Sequence, residues 1–155
     1  MTTSATVVVV FALSLIPVRA IPQSPDTGYK DMVNRFFVLF DEGKYSEAVS
    51  YIYSSNPWVQ TKSEDVAKVQ TGLSKLPSLM GTLINHEMLT EASIAGGFVH
   101  LDYIVNFERQ PVRFYFEFHR ANRKWITYSF GYQDDLDAWA SEKAKSGYLY
   151  SGNRR

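Results

Sequence analysis

Hydrophobic positions recur with two different periods along this chain. In the first half, Tyr29, Val33, Phe36, Phe37 and Phe40 fall on one face of a helix. Asp41-Glu42-Gly43 interrupts that face with a glycine suited to a helix end. A second helical face uses Tyr45, Ala48, Val49, Ile52 and Tyr53 and stops before Pro57, which removes a helix donor. Trp58-Val59-Gln60 reads as a very short strand. Ser63, followed by Glu64 and Asp65, opens a third helix with a cap hydroxyl and carboxylates beside its positive end. Its apolar face is Val66, Val69, Leu73 and Leu76, and Pro77 is expected to end it.

After Gly81 the period falls to two. The alternation predicts strands over 83–95, 98–109, 112–120 and 125–132. Gly96-Gly97 reads as a two-residue hairpin turn. Gln110-Pro111 and the three residues Ala121-Asn122-Arg123 form the next two turns. Asp134 to Lys145, acidic at its start and basic at its end, suits a short helix. Registers drawn from these turns place Ile84, Met88, Val99, Leu101, Tyr103, Val105, Phe107, Phe114, Phe116, Phe118, Ile126, Tyr128 and Phe130 on one face. The expected fold is therefore α+β: three N-terminal helices cover a four-stranded curved antiparallel sheet, and a short C-terminal helix follows.

The N-terminus reads differently. Val7 to Ile16 is an apolar run of ten residues, about 15 Å as a helix and half of what a bilayer requires. Val18 and Ala20 fit a small-x-small cleavage pattern. Residues 1–20 are thus expected to be a signal peptide cut after Ala20, although Met1 to Thr6 carries no Lys or Arg. A linker (21–28), one domain (29–146) and a flexible tail (147–155) follow. The expected location is secreted or periplasmic, with no stable membrane anchor once the leader is gone.

Composition narrows the chemistry. The absence of cysteine excludes disulfides and thiolate zinc sites. Sixteen basic residues balance sixteen acidic ones with no cationic stripe, which argues against nucleic acid as a partner. Ten Phe, ten Tyr and three Trp supply either a core or an aromatic-lined pocket. No nucleophile elbow, zincin motif, Walker loop or dinucleotide fingerprint occurs, and no cofactor is implied.

The segment Phe37-x-x-Phe40-Asp-Glu-Gly-Lys-Tyr-Ser-Glu-Ala48, the Trp58 segment and the last strand Trp125-Ile-Thr-Tyr-Ser-Phe130 resemble the nuclear-transport-factor-2-like superfamily over about residues 29–132. The resemblance implies a cone-shaped α+β roll, a pocket between helices and sheet, and homodimers formed through the sheet. It leaves activity open, because the superfamily holds lyases, isomerases and non-catalytic accessory domains.

A cavity of that kind would be lined by Phe36, Phe40, Tyr53, Trp58, His86, Tyr103, Phe116 and Tyr128. This favours a non-enzymatic binding or accessory domain that holds a small apolar ligand or dimerises. A cofactor-free lyase or isomerase with His86 as base and Tyr103 as hydrogen-bond donor is one alternative. A purely structural interaction protein, its interior filled by its own side chains, is another. On the opposite face the registers set Glu91 beside Asp102 and Asp102 beside His119. That cluster is either a metal or proton-transfer site or, more simply, a solvated face or polar dimer contact. His100 either extends it or faces solvent.

Overall fold

The computed structural model describes residues 28–145. The expected leader and tail, and the linker apart from Gly28, lie outside the described residues. Helices α1 (Gly28–Asp41), α2 (Tyr45–Tyr53) and α3 (Ser63–Met80) precede strands β1 (Leu83–Ile94), β2 (Phe98–Phe107), β3 (Pro111–Ala121) and β4 (Lys124–Gln133), and α4 (Leu136–Lys145) comes last. The strands form one antiparallel meander in the order β1-β2-β3-β4. Among the described residues no helix is long and apolar enough to cross a membrane.

Local chemistry explains most element ends. After α1, Gly43 takes φ 75°, its N–H bonds to Phe40 O, and Lys44 N bonds to Leu39 O at 2.9 Å. This is a left-handed helix stop that glycine makes at least cost. Helix α3 runs through Pro77 to Met80 instead of ending at the proline. Leu76 and Met80 stay buried, and Arg109 ties down the end: its side chain donates to Ser78 and Leu79 carbonyls, its N–H to Met80 O. Those contacts outweigh the one hydrogen bond a helical proline forfeits. Ser63 is the first residue of α3 and makes no side-chain cap. Val59–Lys62 forms a 3₁₀ turn where a short strand was expected.

The core lies between α1–α3 and one face of the sheet. Phe36 of α1 touches Phe114, Phe116 and Phe130 with ring centroids 4.8–6.3 Å apart. Phe114, Phe116 and Phe118 are fully buried, as are Val99, Leu101 and Val105 within a few per cent. The expected face is correct for β2 and β3, whose true register (Tyr103 opposite Phe114 rather than Phe118) differs from the expected one by four residues and so preserves parity.

The two outer strands break that pattern. Ala95, Gly96 and Gly97 make the first turn, with positive φ at Ala95 and Gly96, and bulges at Ile84 and Leu89 slip β1 further. Ile84 and Met88 are half or more exposed. The last hairpin turns on Asn122-Arg123 alone, both at positive φ, so Thr127 replaces Ile126 in the core. A bulge at Tyr128 then restores Phe130 to it. Thr127 is tolerated there because its hydroxyl donates to Ile52 O and bonds Ser55 Oγ.

Truncating Phe116 to Ala should cost about 3–5 kcal/mol in denaturant unfolding; a loss under 1 kcal/mol would contradict a tightly filled core. Arg123→Gly, which relieves a positive φ of 66° in the β3–β4 turn, should stabilise the chain by about 0.5–1 kcal/mol.

Candidate functional site

The helix–sheet interior contains rings where a ligand was expected. Phe36, Phe40 and Phe116 are at most 1% exposed and stack or meet edge-on with one another and with Phe37, Phe114 and Phe130. Tyr53 is aimed at the sheet, where its hydroxyl donates to Phe130 O at 2.9 Å. Trp58 is 73% exposed and Tyr128 61% exposed. Tyr128 lies on the outer face, its ring 5.8 Å from Phe98 and 6.2 Å from His119. The eight expected lining residues are therefore not assembled into one pocket: three fill the core, Trp58 and Tyr128 lie outside, and the rest sit at its margins.

His86 sits at one such margin. Its ring stacks on Phe37 at 3.9 Å, and its Nε2 lies 3.4 Å from Asp41 Oδ2. An open cleft of about 910 Å³ beside it is lined by Phe40, Tyr45, Ile84 and Glu108 among others. Tyr103 touches the same Phe37 ring at 4.9 Å, so Phe37 stands against both side chains and no hydrogen bond joins them. Burial raises the Tyr103 hydroxyl above its ordinary value.

The outer face carries a denser polar cluster than the interior, in a different combination from the one expected. Glu91 is opposite Leu101 and so on the helix side, where Lys30 and Tyr29 bind it and pull its carboxyl below the usual range. His119 pairs with Phe98, four residues along β2 from Asp102. The Glu91–Asp102–His119 site is thus taken apart by register. Among the described residues no group of three His, Cys, Asp or Glu is placed to hold a metal.

Asp102 gathers other partners. It is 2% exposed and accepts from Arg113 Nε at 2.7 Å and Nη2 at 2.5 Å, while His100 Nε2 approaches at 3.2 Å. The other ring nitrogen of His100 lies 3.0 Å from Glu117. Arg113 also donates to Gln133 and lies between the rings of Tyr115 and Trp139 at 5.4 and 5.5 Å. Trp139 belongs to α4, which therefore packs over this end of the outer face. A Cβ at Gly131 would collide with the Tyr115 ring, so glycine makes room for that ring.

The charges follow from this geometry. The hydrogen bond to Asp102 raises the His100 value, against its partial burial and with help from Glu117. Burial pushes the Asp102 carboxyl up, but His100 and the Arg113 charge outweigh it and hold the group below its ordinary value. An imidazole with a carboxylate at each nitrogen bridges the two, and both carboxylates favour its protonated form. The sequence signal for it was His100-x-Asp102 on β2 facing Arg113 and Glu117 on β3, obscured by the four-residue register difference.

Three helices followed by an antiparallel meander and a short fourth helix make this an α+β fold. No family model and no curated protein matches the chain. Among solved structures, a Campylobacter jejuni chain named as an NTF2-like transpeptidase aligns with a TM-score of 0.49 and 15% identity, over 64% of this chain and 95% of that one. The likeness is one of backbone course and assigns no activity here.

His100 contributes stability in full below its ordinary value of about 6.5, and that contribution is lost as pH climbs through its raised folded value. Asp102 works in the opposite sense, losing its contribution only as pH falls through its lowered value. The stability gap between the native chain and His100→Gln should therefore be widest below about pH 6.5 and narrow toward alkaline pH. Urea melts across that range check it, and a gap independent of pH would sink the bridging-cation assignment.

Proposed function

We propose that the chain is an exported, non-catalytic binding or accessory domain that works through its surface. The observation that carries this reading is the solid interior: the rings expected to line a ligand cavity pack against each other instead. The leader pattern in residues 1–20 supports export. Phe36, Phe40 and Phe116 spend their faces and edges on neighbouring rings, which favours recognition at the open clefts and the outer face of the sheet. A homodimer would use the end of that face that α4 leaves free, where Ile94 and Tyr128 are exposed.

A lyase or isomerase remains a second reading because of one contact. Asp41 lies within hydrogen-bond reach of His86 beside an open cleft, the base-and-orienter arrangement proton transfer uses. Both groups are substantially solvent-exposed, and Tyr103 is not aligned with them.

Two measurements test the proposal. Native mass spectrometry of the secreted chain should show the bare polypeptide, as monomer or dimer, with no retained apolar molecule. Deuterium exchange into a panel of small ketones, followed by NMR, should proceed at the buffer rate. Exchange accelerated by the native chain and abolished by His86→Ala would establish the enzyme instead.

A further inference from the structure

Trp58 is the most exposed large hydrophobic side chain among the described residues, yet the loop that carries it is tightly held. Ser55 Oγ accepts from Thr127 N at 3.0 Å, and Asn56 Nδ2 donates to Thr127 O at 2.7 Å. Asn56 Oδ1 then accepts from Trp58 N at 3.0 Å. Thr61 Oγ1 closes the segment by donating to Trp58 O at 2.7 Å. A backbone fixed in advance has less freedom to lose on binding, and tryptophan is among the residues most enriched at binding hot spots.

Beside it lies a cleft of about 640 Å³, walled by Pro57, Trp58, Ala121, Trp125 and Ile126, with Asn122, Lys124 and His119 at its rim. Ile126 and His119 continue into a row that crosses the outer face of the sheet, His119 opposite Phe98 and Phe98 opposite Ile94. Tyr128 rests on Phe98 and His119. The row spans about 14 Å at the usual strand spacing.

From this we infer that the Trp58 cleft and the adjoining row bind a proline-rich segment of a partner protein, in polyproline II conformation and flanked by acidic residues. The inference rests on the reading of the chain as a non-catalytic binding domain and names the class of partner. Three observations select that chemistry. First, strand addition at the neighbouring β4 edge is blocked, because Tyr53, Ser55 and Asn56 already bond the backbone of Phe130 and Thr127. Second, Ser55 and Asn56 spend their side-chain donors and acceptors on the loop and β4, which leaves polar recognition in the cleft to His119, Asn122 and Lys124 beside its apolar walls. A polyproline II helix, with its backbone solvated and its rings apolar, needs aromatic walls and an occasional donor. Third, Arg123 and Lys124 are exposed at this end and no carboxylate lines the cleft, so acidic flanks complement it. Fourteen ångströms is about four to five residues of such a helix.

An array of proline-rich peptides with acidic, neutral or basic flanks, probed with the secreted chain, tests the inference alongside arrays in which Gly-Ser replaces proline. Proline-rich, acid-flanked peptides should bind, with at least tenfold weaker binding to Trp58→Ala and to the Gly-Ser series. Lys124→Glu should weaken binding and abolish the preference for acidic flanks. Trp58→Ala should keep the native melting temperature, since the ring is mostly in water. Absence of binding, equal binding to the Gly-Ser series, or binding unchanged in Trp58→Ala would overturn the inference. So would chitotriose binding at the same cleft, or a native dimer that Trp58→Ala converts to monomer. The ketone-exchange assay reads the non-catalytic assignment separately, so failure of either is distinguishable.

Discussion

The whole arrangement depends on α1 presenting Phe36, Phe37 and Phe40 to the alternate phenylalanines of β3. Ring-on-ring contacts between 5.1 and 6.3 Å tie Phe36 and Phe37 to Phe114 and Phe116, and Phe40 joins them through Phe114 at 5.4 Å. Side chains in a strand alternate, so a slip of one residue in β3 would carry all three of its core rings into water. The same alternation sends Arg113, Tyr115, Glu117 and His119 outward. The apolar lock inside and the ionic cluster outside are two consequences of one constraint.

This explains which parts of the fold were legible in the sequence. Helix faces and strand order follow from periods of 3.6 and 2, and the β2 and β3 core positions survived an error in register because the error was even. The edge strands did not. Bulges at Ile84, Leu89 and Tyr128 each insert one residue, and an inserted residue has no signature in an alternating pattern. Turn length did the rest: Glu91 changed faces because the first turn holds three residues, and Ile126 and Tyr128 because the last holds two. Thr127 was missed because a core threonine needs partners from elsewhere in the chain, here Ile52 and Ser55. Nor does a pattern of aromatic residues report volume: Phe36 and Phe116 would look the same around a cavity as they do when they close it.

The outer-face cluster was half visible. Asp102 was singled out, but its partners are Arg113 and His100, and the cover supplied by Trp139 of α4 could not be read from spacing. A carboxylate almost without solvent exposure needs compensating charge and hydrogen bonds, since an unpaired buried charge costs several kcal/mol. Two guanidinium nitrogens and an imidazole provide them. Arg113 joins this cluster to the Trp139 ring of α4 at 5.5 Å, and the position of α4 decides which part of the sheet stays uncovered.

The two margins of the sheet are treated differently. Tyr53, Ser55 and Asn56 occupy backbone groups along β4, whereas β1 has its ladder interrupted at Ile84 and Leu89. A second molecule approaching from the β4 side meets hydrogen bonds already spent, and one approaching from the β1 side finds matching backbone only in short runs. Head-to-tail growth into fibres needs both margins to be continuous at once. This architecture offers neither, so its exposed isoleucine and tryptophan are not backed by a continuous strand edge.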